Sequence, residues 1–174
     1  MISSNDFDHF LKTGYIERLE PGTSMYVLTV AFGDDAWIAK ETEVNGLVYG
    51  IIKVGFIEFH IYNERVNGIS YRPDLLFPMS DFNGIEIPWI YEKRTISLVE
   101  TELAKRHIAY KKYAVNGPMQ NCEAAGLSFS LVEECELVLI DTEGGVTFLF
   151  EDHPTTGQPE AYQICKYYPI NQAI

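Results

Sequence analysis

Glu58 and His60 stand two positions apart in a segment, Ile57 to Tyr62, that alternates apolar and polar side chains. A strand repeats every two residues, so both belong on one face, with Tyr62 next along it. A carboxylate beside an imidazole can move a proton or hold a cation. A water-facing polar strand has the same composition, and solvation is the reading this pattern favours. His9, His107 and His153 have no partner at a metal-ligand spacing, so neither metal nor cofactor is expected.

Nucleophilic chemistry has little to stand on. Gly22-Thr23-Ser24-Met25 lacks the second glycine and the preceding strand of a nucleophile elbow, so Ser24 reads as a helix cap. No phosphate loop, GxGxxG or HExxH occurs. Of three cysteines, Cys122 lies in an acidic stretch that disfavours a thiolate, and Cys135 and Cys165 alternate with apolar residues as core filler. Asp34-Asp35 and Asp141-Thr142-Glu143 do not continue into a calcium loop and read as turns. Lys105-Arg106 and Lys111-Lys112 form the basic cluster, with the first pair closing a helix whose dipole favours cations. Trp37 and Trp89 fall in loop-like contexts and read as folding back on the core.

The charge pattern is the strongest functional signal. The net charge is −12, with −6 in residues 1–94 and −6 in residues 95–174. Between Lys112 and Lys166 no Lys or Arg occurs in 53 residues, which hold nine acids. Such a field repels nucleic acid and anionic membranes and favours a basic protein partner. Glu133, Glu134 and Glu136, displayed by a hairpin tip, are the leading partner-binding candidates, with Asp141 and Glu143 beside them. Glu58, His60 and Tyr62 form the alternative, a small-molecule pocket or enzyme site. A structural homo-oligomer built through sheet edges is a further alternative.

These residues need elements to hold them. Phe7, Phe10 and Leu11 predict a short helix stopped by Gly14, followed by a strand-like Tyr15 to Leu19. Ser24 caps a helix over Met25 to Phe32 that Gly33 closes, and Asp34 to Val44 reads as a loop. Strands follow at Leu47–Ile51, Ile57–Tyr62 and Ile69–Arg72. Pro73, Pro78, Asn83-Gly84 and Pro88 punctuate a packed linker. Thr95 or Ser97 caps a helix striped by Ile96, Val99, Leu103 and Ala104. A strand at Ile108–Tyr113 precedes a meander of Leu127–Val132, Cys135–Asp141 and Val146–Phe150, then Tyr162–Tyr167.

The fold class is α+β: two helix-plus-antiparallel-sheet modules. Their bounds are residues 1–74 and 95–174, joined by 75–94, with one compact domain as the alternative. Gly55 to Ile61 aligns with Gly144 to Phe150, and Tyr71-Arg72-Pro73 with Tyr167-Tyr168-Pro169, which suggests an internal duplication; a chance echo of a common pattern is the alternative. The N-terminus has no signal-like pattern, the longest early apolar run is too short to span a bilayer, and three thiols fit a reducing, bacterial cytoplasm.

Leu19, Pro21-Gly22, Ser24, Val27 and Gly33, followed by Tyr49-Gly50 and Gly55 to Phe59, make a capping turn, a helix and a strand. Over roughly residues 7–73 this resembles immunity-type proteins of bacterial toxin–immunity pairs. More loosely, the helix-plus-meander unit is similar to β-lactamase-inhibitor-like modules. The resemblance implies a non-enzymatic protein that neutralises a basic toxin domain. It assigns no site residues, because such families bind through variable surfaces.

Overall fold

The computed structural model describes residues 4–16, 19–20, 22–33, 36–44, 47–54, 57–73, 88–92, 94–115, 137–152 and 155–168. The first helix, α1 (Ser4–Thr13), buries Phe7, Phe10 and Leu11 completely, as their spacing requires. It stops at Gly14, whose φ of 77° suits glycine. A Cβ at Gly14 would also stand 2.5 Å from the Gly144 carbonyl oxygen.

Of the strand expected at Tyr15 to Leu19, the described residues show an isolated bridge between Ile16 and Leu19. The Leu19 amide donates to the Ile16 carbonyl at 2.9 Å, and this lone bridge drives both apolar side chains inward. Helix α2 (Met25–Phe32) forms as predicted, despite its β-branched residues. Ser24 accepts from the Val27 amide at 3.3 Å, and the Gly33 amide donates to the Thr29 carbonyl. The loop expected at Asp34 to Val44 is largely strand β1 (Ala36–Val44). Its sequence lacks clean alternation because it is an edge strand with a register shift between Ile38 and Lys40.

Strands β2 (Leu47–Val54), β3 (Ile57–Tyr62) and β4 (Arg65–Tyr71) complete a first meander. Asn63 and Glu64, both at positive φ, make the two-residue β3–β4 turn. A short 3-10 helix (Trp89–Tyr91) buries Trp89 and Ile90 and precedes α3 (Ile96–Lys105). The second half supplies β5 (Tyr110–Val115), β6 (Leu137–Thr142), β7 (Thr147–Asp152) and β8 (Pro159–Tyr167). The strand expected at Leu127–Val132 and most of the 75–94 linker lie outside the described residues.

One eight-stranded antiparallel sheet results, in the order β1-β2-β3-β4-β8-β7-β6-β5. A helix precedes each four-stranded meander, α2 in the first half and α3 in the second, with α1 additional in the first, and the halves join where β4 pairs β8. Phe59 and Ile61 on β3, and Phe148 and Phe150 on β7, face one core from the third strand of each meander. This likeness is one of element order. The core lies between the sheet and the helices, where Phe7 meets Tyr71 edge-on at 4.7 Å and Trp89 at 5.6 Å.

Two clasps fix α1. At its C-terminal end the Leu11 carbonyl accepts from the Thr142 hydroxyl at 2.6 Å and from the Gly144 amide at 3.3 Å. The Tyr168 hydroxyl donates to the Gly14 carbonyl at 2.7 Å. These bonds satisfy carbonyls that a helix end leaves open. At its side, Asp8 accepts from Trp89 Nε1 at 3.1 Å and pairs with Arg106 at 3.0 Å. Arg106 also pairs with buried Glu102 and lies 5.0 Å over the Trp89 ring. Arg106 thus works through specific partners on two helices, beyond the dipole role its position suggested. Ala104, expected in the apolar stripe of α3, is exposed, and Glu102 is buried instead.

Candidate functional site

The sheet face away from the helices carries a chain of polar side chains at the junction of the two halves. Register places them: Lys53 on β2 opposes Glu58 on β3, Glu58 opposes Ser70 on β4, and Gly68 lies between His60 and Tyr167. A shift in register between His60 and Ile61 turns Ser70 onto this face, while Ile69 and Tyr71 keep to the core.

Lys53 Nζ meets Glu58 Oε1 at 2.7 Å. The Ser70 hydroxyl donates to Glu58 Oε2 at 3.3 Å. With that proton committed, His60 Nε2, 3.0 Å from Ser70 Oγ, is the donor of their bond. The Tyr167 hydroxyl lies 3.4 Å from the same nitrogen, and the two rings meet edge-on at 5.1 Å. Glu58 is 6% exposed and Ser70 0%, so the solvated stripe expected at Glu58 is a buried network. Lys53, Ser70 and Tyr167 were not identified from the sequence.

Burial holds His60 below its ordinary pKa of 6.5; the Glu58 carboxylate opposes this and Arg72 adds to it. Burial raises Tyr167, with Cys165 and Glu58 adding to the shift. The imidazole is therefore neutral at neutral pH, and the phenol keeps its proton. The arrangement differs from a nucleophilic triad. Glu58 bonds the serine and the lysine instead of orienting the histidine, and Ser70 has no exposed surface.

Tyr62 shares the face but not the network. It packs edge-on against Tyr49, directly opposite on β2, at 5.2 Å. Of the predicted trio, Glu58 and His60 are joined through Ser70 and Tyr62 stands apart.

Among the acidic candidates, Glu133, Glu134 and Glu136 lie outside the described residues. Asp141 is an internal bracket: it accepts from the Tyr113 and Thr147 hydroxyls, each at 2.6 Å. Glu143 is exposed in the β6–β7 turn, and Glu151 and Asp152 are exposed at the end of β7. Glu151 faces Glu160 directly across β7–β8, and Arg94 meets Glu160 at 3.0 Å. Lys166, which ends the cation-free stretch, turns inward to the Gly144 carbonyl beside the stacked rings of Tyr15 and Tyr168. Burial lowers its pKa.

Cys165 is buried on the outer face beside Leu139 and Leu149; Cys122, Cys135, Asp34, Asp35 and His153 lie outside the described residues. Trp37 sits in β1, not in a loop. No three His, Cys, Asp or Glu residues are grouped to hold a metal among the described residues. No helix there is long and apolar enough to cross a membrane. No family model, curated protein or solved structure matches the chain.

Proposed function

We propose that this is a non-enzymatic binding protein whose second half meets a basic protein partner, as an immunity protein meets a toxin domain. One observation carries the reading. From β6 to β8 the exposed charged side chains, Glu143, Glu151 and Asp152, are acidic, while Lys166 is directed inward to Gly144. The outward field of the β6–β8 segment is negative, although the neighbouring β5 exposes Lys111 and Lys112, and a negative field speeds encounter with Lys and Arg on a partner and selects against nucleic acid. A bacterial cytoplasmic setting accompanies this reading, and the free, buried Cys165 thiol is compatible with a reducing compartment.

The test compares the native protein with the triple variant Glu143→Lys/Glu151→Lys/Asp152→Lys. Each is immobilised in native lysate and eluted with a salt gradient. A basic protein held by the native chain, released by salt and lost by the variant supports the reading. Retention that neither salt nor the substitutions alter removes this surface from it.

A second reading, a small-molecule site at the Glu58–His60 face, is favoured by the neutral, half-buried imidazole. It requires that His60→Ala abolish a ligand-binding or turnover signal in a protein that remains folded.

A further inference from the structure

We propose that the uncharged face of α2 is where two copies of this chain meet, paired about a two-fold axis beside Tyr26. The reading is independent of the basic partner. Leu28 faces the core, while Tyr26, Val27 and Val30 are 75%, 49% and 65% exposed. At i, i+1 and i+4 these three form one stripe along the helix. A helix that is apolar on every side is ordinarily buried on every side.

Charge identifies the occupant. Helix α2 has no acidic or basic side chain, whereas α1 and α3 carry both kinds. A basic partner gains no electrostatic advantage there. A second copy of a −12 chain is repelled over most of the surface, and least where charge is absent or balanced. At the start of α2 the rim carries one exposed charge of each sign. Exposed Glu64 and Arg65 adjoin the start of α2: the Met25 amide donates to the Glu64 carbonyl at 2.8 Å, the Arg65 backbone bridges that of Ser24, and the Arg65 guanidinium donates through Nη1 to the Gly22 carbonyl at 2.9 Å, leaving its other N–H groups for a partner. A two-fold beside Tyr26 sets Glu64 of each copy against Arg65 of the other, the self-complementary pattern an isologous contact needs.

The sheet edges are poorer routes to self-association. The β1 edge is interrupted by its register shift, and the β5 edge displays Lys111 and Lys112. A two-turn helix face is small against a standard interface of about 800 Å² per partner, so the dimer should dissociate on dilution.

Sedimentation of the full chain over a concentration series tests this, with circular dichroism confirming that each variant is folded. The expected result is a monomer–dimer equilibrium whose dissociation constant rises at least about tenfold in Val30→Asp and in Tyr26→Ser. Leu98→Asp on α3 should leave it unchanged. Glu64→Arg should weaken the dimer, and Glu64→Arg/Arg65→Glu should restore it. A chain still monomeric at about 1 mM, the weak limit of specific association, overturns the proposal. So does a dimer that Val30→Asp and Tyr26→Ser leave intact, or a Glu64→Arg loss that the double variant fails to recover.

Discussion

Gly68 on β4 lies directly opposite Tyr167 on β8, and the tyrosine ring fills the space that a side chain at 68 would need. A Cβ there would stand 2.5 Å from the ring and 3.4 Å from His60 Cβ. The seam between the two meanders is closed by an aromatic ring lying over a glycine. Gly68→Ala should therefore destabilise the fold by about 1–3 kcal/mol, the usual cost of overpacking. Urea unfolding midpoints check this. In a Tyr167→Ala background the same substitution should cost clearly less, because the clash is gone.

Acidification should loosen the same seam. The folded pKa of His60 lies below its unfolded value of 6.5. As pH falls through 6.5 the unfolded chain binds the proton first, so stability declines until the folded pKa is passed. Above that window the contribution is fully present. Unfolding midpoints between about pH 5 and 8 should rise with pH in the native protein, with a smaller slope in His60→Gln. Equal slopes would show that other groups set the dependence.

Glu102 is 4% exposed and pairs with Arg106 four positions on. Arg106→Ala leaves that carboxylate buried without its guanidinium and should cost about 3–5 kcal/mol. Glu102→Leu/Arg106→Met removes both charges and should recover most of the loss. Trp89 fluorescence reports on the same cluster, since Arg106 lies over its ring. With Glu102→Leu and Arg106→Met also measured singly, a double variant whose loss equals the sum of those two would show that the residues act separately.

Lys166→Met should cost about 1–2 kcal/mol by removing a charged hydrogen bond to Gly144 and the contact with Tyr15 and Tyr168. It also removes the cation that ends the acid-rich stretch. The variant should then bind a basic partner no more weakly than the native chain, measured at a temperature where both are folded. Weaker binding would mean that Lys166 belongs to the contact surface.

Local signals carried most of the architecture. Phe7, Phe10 and Leu11 specified α1, Ser24 and Gly33 bracketed α2, and alternation from Ile57 to Tyr62 specified β3. β1 was not legible because an edge strand with a register shift has no continuous apolar face. The polar network was half legible. Glu58 and His60 follow from a period of two, but Ser70 requires the shift in the β3–β4 register. That shift leaves a trace: Val66, Ile69 and Tyr71 all face the core, at spacings of three and then two. Lys53 and Tyr167 depend on cross-strand neighbours, and Tyr167 is about a hundred positions from His60, beyond the reach of local pattern.

The seam also sets an order of events during synthesis. β4 ends at Tyr71, but its second neighbour, β8, begins only at Pro159. At about 5–20 residues per second, a ribosome leaves one edge of the first meander unpaired for roughly 4–18 s. Through that interval Ser70 and Gly68 lack the strand that will cover them. The nascent chain is then most open to mispairing with a neighbour on the same message, and the protein becomes one sheet only after most of its length has been translated.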